Sequence, residues 1–91
     1  MQFKNILVVC VGNICRSPMA EYLLKQNYPQ LTIHSAGISG MIGYAADDKA
    51  KLCMQRIGID MSPQIARKLN AELIKQADLI LDISQHEQKH I

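Results

Sequence analysis

The sequence predicts an α/β fold of three layers, a short and mostly parallel sheet with helices on both faces. Two observations carry this prediction. Residues 5–10 and 79–83 are short, continuous apolar runs of the buried parallel-strand type. Between them, helical segments with their own start and stop signals alternate with a further short strand pattern at 31–36. Right-handed crossovers between such strands leave ligands to bind outside the strands' carboxyl ends.

Asn5-Ile6-Leu7-Val8-Val9-Cys10 is the first predicted strand. After a loop over 11–16, Ser17 can cap a helix with Pro18 at its first position. Met19, Tyr22, Leu23 and Gln26 follow at helical spacing, and the helix should end near Asn27-Tyr28-Pro29. Leu31 to Ala36 reads as the second strand, and Gly37, Gly40 and Gly43 mark a flexible loop running to Ala46. Asp47 or Asp48 opens the next helix, with Ala50, Met54 and Ile57 on one face, Cys53 beside them as core filler, and Gly58 as its left-handed stop.

A short helix is expected from Ser62-Pro63, and a turn or two capped by Asn70 should contain Leu73 and Ile74. Leu79 to Ile83 is the third strand, and Ser84 with Glu87 fits a capping box for a helix that the chain enters by only about two turns. A sheet of three strands would leave the apolar third strand with an unprotected edge, which points to a missing strand.

Ninety-one residues, 48% of them hydrophobic, accommodate one domain and no second. The net charge of +2 arises from scattered residues without a block of like charge, so nucleic-acid binding is not expected. No segment approaches the roughly 20 apolar residues of a membrane helix, and no secretory leader is visible. An odd set of three cysteines then argues for reduced thiols and a cytoplasmic setting. His34, His86 and His90 lack ligand spacing, so neither a metal nor a cofactor is expected.

The chemistry concentrates at Cys10-Val11-Gly12-Asn13-Ile14-Cys15-Arg16-Ser17. A strand delivers Cys10, the chain turns, and Arg16 returns just before a helix whose free N–H groups face the concavity. Backbone N–H groups of Val11 through Arg16, aided by the helix start, would form an anion nest that Arg16 completes bidentately. The same field favours thiolate over thiol at Cys10, making it a nucleophile toward a phosphate monoester. Gly12 allows close backbone approach, Asn13 tolerates left-handed geometry, and Ser17 has two jobs open to it: capping the helix or donating to the Cys10 sulfur. No Gly-Lys-Ser/Thr follows the loop, which disfavours a nucleotide site.

Val9 through Glu21 resembles the signature of bacterial low-molecular-weight protein tyrosine phosphatases. Ser35-Ala36-Gly37, the Gly43 to Asp47 stretch, Gly58-Ile59, Ala66-Arg67-Lys68-Leu69 and Ala77 to Leu81 follow the same family pattern in order. The resemblance implies Cys10 as nucleophile, Arg16 as phosphate ligand, Ser17 as the group assisting thiolate departure, and Asn13 with Ser35 as supports of the loop. It implies that Cys15 can form a reversible disulfide with the nucleophile, against the alternative that Cys15 only packs beneath the loop. Met41, Ile42 and Tyr44 match one wall of the substrate cleft, with ordinary loop packing as the other reading. The implied substrate is a phosphotyrosine protein, in bacterial relatives a tyrosine kinase of polysaccharide export, and the product is inorganic phosphate.

The family takes its general acid from an Asp-Pro segment after a fourth strand and closes with a long helix, none of which is found here. No aspartate of this chain precedes proline, so the domain is expected to be incomplete, with impaired activity. Asp82, near the end of the third strand, is either a substitute acid or a solvated or capping carboxylate. Two further functions stand beside hydrolysis: a non-catalytic phosphate or phosphotyrosine binder, and an arsenate reductase. The second is disfavoured because no cysteine occurs from Leu79 to Ile91.

Overall fold

A computed structural model describes residues 3–13, 16–39 and 42–83. Its elements are β1 (Asn5–Cys10), α1 (Arg16–Asn27), β2 (Thr32–Gly37), α2 (Asp48–Arg56), α3 (Ala71–Gln76) and β3 (Leu79–Asp82). The three strands form a parallel sheet in the order β2-β1-β3. The central strand is the most apolar one, and Leu7, Val8 and Val9 are all buried.

Alternating side chains of β1 serve two layers. Ile6 and Val8, with Ile33 of β2, pack against Ala20 and Leu24 of α1. Leu7 and Val9, with Ala36, pack against Leu69, Leu73 and Ala77 on the α3 side. A third cluster of Ala46, Ala50, Met54, Ile59 and Met61 joins α2 to Met19 and Tyr22 of α1. Helices therefore cover both faces of the sheet, as expected, and burial of Leu7, Val8 and Ile33 contributes about 1.5–3 kcal/mol each.

Several local expectations are corrected. Ser17 lies inside α1, which already begins at Arg16, so it is not the residue before the helix. The inward face of α1 carries Ser17, Pro18 and Glu21, while Leu23 is exposed. Cys53 and Ile57 are exposed because only Ala50 and Met54 of α2 face the core. No helix forms at Ser62-Pro63; residues 62–70 run as irregular chain with isolated bridges from Ile65 to Ala45 and from Lys68 to Gly37. β3 is an edge strand with Ile80 and Leu81 exposed, not a buried one. Gly37 ends β2 in a packed position and does not belong to a flexible loop.

Asp47 caps α2, Asn70 caps α3, and Gly58 has a left-handed φ of 84°. The Ser84–Glu87 capping box and Gly40 lie outside the described residues.

Asp78 ties the start of β3 to the start of β1. Its Oδ2 accepts from the backbone N–H groups of Lys4 and Asn5, both at 2.9 Å, and its own N–H donates to the Asn5 carbonyl at 2.7 Å. The Asn5 and then the Lys4 N–H hold its carboxyl below the ordinary 3.8. A depressed folded value means stabilisation that is present above pH 3.8 and lost as pH falls through the lower folded value. Asp78→Ala should therefore unfold at lower urea than the parent at neutral pH, with the gap closing as the medium is acidified below pH 3.8.

Candidate active site

β1 ends on Cys10 at the carboxyl edge of the sheet, and α1 starts on Arg16 across the loop. Cys10 is buried, while Arg16 is exposed at the helix start. The Cys10 Sγ accepts from the Asn13 backbone N–H at 3.2 Å and lies 2.8 Å from the Ser17 Oγ. Asn13 has φ 58°, the left-handed conformation that lets the loop double back and bring its N–H over the sulfur.

Beneath the loop the Asn13 side chain is fully buried and fully used. Its Nδ2 donates to Ser17 Oγ at 2.7 Å and to Ser35 Oγ at 2.9 Å. Its Oδ1 accepts from the Arg67 N–H at 3.0 Å, with the Gln64 amide at 3.5 Å. Because a backbone N–H can only donate, Arg67 fixes which end of the amide points where. Ser17 Oγ thus accepts from Asn13, and its own proton is left for the Cys10 sulfur. The hydroxyl does not cap the helix but lies against the Cys10 sulfur.

The loop is also held from outside. Ile38 and Ser39 donate backbone N–H groups to the carbonyls of Cys10 and Val11 at 2.9 and 3.0 Å. Gly37 sits so close that a Cβ there would lie 2.8 Å from the Val11 carbonyl oxygen and 3.0 Å from the Gly12 carbonyl carbon. Both are backbone atoms of the loop. Gly37→Ala is expected to push the loop outward, and a displacement of this order costs about 10²-fold in turnover of an aryl phosphate. Steady-state kinetics together with vanadate affinity would check it, and both should weaken.

Cys10, Asn13, Ser17 and Ser35 are thus brought into one connected group, with Val11 and Gly12 on the loop above. Ile14, Cys15 and Met41 lie outside the described residues. Ile42 and Tyr44 are exposed on a segment whose backbone is bonded to Ala66. Asp82 is in register with Val9, one residue before Cys10, and lines a cavity of about 580 Å³ with Arg16, Met19, Ala20, Leu23 and Ile83. Among the described residues, no group of three or more His, Cys, Asp or Glu side chains could hold a metal ion.

Sequence reasoning missed Glu21, Gln64, the Arg67 N–H and the close approach at Gly37. Only Glu21 left a signal, since it stands four residues after Ser17 and so shares its helix face.

A family model described as low molecular weight phosphotyrosine protein phosphatase matches residues 5–91. The chain belongs to this family. A low-molecular-weight protein-tyrosine-phosphatase, Ptp of Acinetobacter johnsonii, is 87% identical over 91 residues, all of this chain and 64% of that protein. The chain therefore spans less than two thirds of the length of that curated relative. Among solved family members, the Erwinia amylovora tyrosine phosphatase AmsI superposes with a TM-score of 0.88 at 40% identity, over 94% of this chain and 57% of that one. The Vibrio vulnificus Wzb, in complex with benzylphosphonate, also gives a TM-score of 0.88, at 38% identity over 94% of this chain and 62% of that one. The parallel sheet with flanking helices is accordingly the low-molecular-weight phosphatase architecture over the region shared.

Proposed function

We propose that this chain carries the phosphate-capturing and nucleophilic machinery of a protein-tyrosine-phosphatase, hydrolysing phosphotyrosine monoesters. The observation that carries the reading is the pair of hydrogen bonds that meet at the Cys10 sulfur from the Asn13 N–H and the Ser17 hydroxyl. Two donors aimed at one sulfur are the arrangement that a cysteine nucleophile calls for.

In the reaction, the Cys10 thiolate attacks phosphorus in line, an S–P bond forms and the P–O bond to the phenol breaks. Arg16 and the N–H groups of Val11, Gly12, Ile14 and Cys15 take the equatorial oxygens, while the Asn13 N–H stays on the Cys10 sulfur. Water then cleaves the cysteinyl phosphate, releasing inorganic phosphate, while the Ser17 hydroxyl stabilises the departing thiolate. Asn13 and Ser35 hold the loop, Met41, Ile42 and Tyr44 wall the cleft, and when a peroxide oxidises the nucleophile to its sulfenic acid the Cys15 thiol condenses with it, releasing water, to a disulfide that an external thiol reduces.

The benzylphosphonate bound by the Vibrio relative is an aryl phosphate mimic, which supports an aromatic monoester as substrate. The family resemblance extends this to a phosphotyrosine protein in the cytoplasm, a tyrosine kinase of polysaccharide export.

Taken alone, these 91 residues hold no aspartate before a proline that could protonate the leaving group, which makes protonation their weak step when they are assayed by themselves. A tyrosine phenolate, of conjugate value about 10, needs that proton more than p-nitrophenolate does. The chain should therefore release p-nitrophenol readily and hydrolyse phosphotyrosine about 10²- to 10⁴-fold more slowly. Vanadate binding without any p-nitrophenol release would instead show a non-catalytic phosphate binder.

A further inference from the structure

Glu21 is buried, 2% exposed, beneath a loop built to attract anions, a costly place for a carboxylate unless it has work to do. Its Oε1 receives the Ser35 hydroxyl proton at 2.5 Å, and its Oε2 is paired with Lys25 Nζ at 2.6 Å. Both oxygens are occupied, and an ion-paired carboxylate can only accept.

From that end the direction of every bond follows. Ser35 must donate to Glu21, so its oxygen is free to accept from Asn13 Nδ2. The second Nδ2 proton goes to Ser17 Oγ, and the Ser17 proton goes to Cys10 Sγ. The chain has an acceptor that cannot donate at Glu21 and a donor that cannot accept at the Arg67 N–H, which holds Asn13 Oδ1. Asn13, Ser17 and Ser35 are all wholly buried, so no water competes along it.

We propose that Glu21 is a positioning residue, whose carboxylate acts through Ser35, Asn13 and Ser17 to keep a hydroxyl proton aimed at the Cys10 sulfur. The inference rests on Cys10 as the reactive thiolate, and it assigns thiolate stabilisation to a residue that never touches it.

The sign of the effect separates this relay from simple electrostatics. Acting through space, a negative Glu21 disfavours a nearby thiolate, so its removal would make Cys10 ionise more easily. Acting through the relay, its removal orphans the Ser35 proton, loosens Asn13 and weakens the Ser17 donation, so Cys10 ionises less easily. The other charged or titratable groups near this face are Lys25 and Tyr22 on α1, Arg16 at its start, Asp60 and Arg67 on the segment packed against it, and Asp82 at the end of β3. All of them are retained in the test.

The test is the pH profile of iodoacetamide alkylation at Cys10, followed by peptide mass mapping to separate it from Cys15 and Cys53. It needs no phosphatase turnover, so it can succeed or fail independently of the hydrolytic reading. In Glu21→Met the alkylation midpoint should rise by about one pH unit, the size expected for loss of one charge-assisted hydrogen bond. Ser17→Ala should raise it similarly, and adding Glu21→Met to Ser17→Ala should raise it no further.

An unchanged or lowered midpoint in Glu21→Met, or a shift that adds in full to that of Ser17→Ala, overturns the proposal. Should Glu21→Met fail to fold by circular dichroism, Ser35→Ala cuts the same relay while sparing the Glu21–Lys25 pair. It is held to the same outcomes: a raised midpoint that does not add to Ser17→Ala supports the relay, and an unchanged or lowered one removes it.

Discussion

Cys10→Ser should abolish aryl phosphate hydrolysis, by roughly 10⁴-fold or more, while leaving the loop folded and able to hold phosphate. The reason lies in the difference between sulfur and oxygen. Serine can occupy the buried strand end and keep the contacts to the Asn13 N–H and the Ser17 hydroxyl. Its hydroxyl, however, stays protonated at neutral pH, since two hydrogen bonds do not overcome the far higher intrinsic pKa of an alcohol. Neither Ser17 nor any other group hydrogen-bonded to residue 10 in the described structure is a base that could take the proton. Orthophosphate affinity should therefore change little, and thermal unfolding should shift little because both contacts to residue 10 are kept. Retained p-nitrophenol release would place the nucleophile elsewhere and remove Cys10 from its assigned role.

The fold was legible where a pattern is local and one-sided. β1 announces itself as an unbroken apolar run because it is buried on both faces, and Asp47, Gly58 and Asn70 mark helix ends through chemistry that involves only near neighbours. The errors share a different cause. Spacing identifies a helix but not which stripe of it turns inward. On α1 that choice is made by Ser17 and Glu21, two polar residues whose partners lie on β1's loop and on β2, so Leu23 is turned outward. Cys53 and Ile57 were misread on α2 for the same reason, since Ala50 and Met54 alone meet α1 and the segment after Gly58. In the site, Cys10, Asn13, Arg16 and Ser17 stand within one contiguous motif and were readable. Gln64 and the Arg67 N–H are more than 50 positions from Asn13, and a backbone N–H carries no residue-type signal at all.

Asn13→Ala should be the most damaging substitution outside the nucleophile, and it should damage stability and chemistry together. Asn13 is wholly buried at φ 58°, where alanine costs roughly 1–2 kcal/mol. Removing its amide also leaves the Arg67 N–H without its acceptor, which costs about 1–3 kcal/mol, and takes one of two partners from each of the Ser35 and Ser17 hydroxyls, about 0.5–1.5 kcal/mol apiece. Such a sum consumes much of the 5–15 kcal/mol that stabilises a typical domain, so the variant should unfold well below the parent on heating. Asn13→Asp tests the direction of the Ser17 proton apart from the backbone strain. A carboxylate still accepts from the Arg67 N–H and tolerates the left-handed φ. Against Ser17 and Ser35, however, it presents oxygens where Nδ2 presented protons. Both hydroxyls would turn to donate to it, and Ser17 would face the Cys10 sulfur with a lone pair. Asn13→Asp is therefore expected to melt below the parent, because one Ser35 proton cannot serve both the new carboxylate and Glu21, and to lose aryl phosphate turnover to nearly the extent of Asn13→Ala. Circular dichroism melts and p-nitrophenol release on the same preparations decide it. Comparable activity in the parent and in Asn13→Asp would mean that the orientation of the Ser17 proton does not matter to the chemistry.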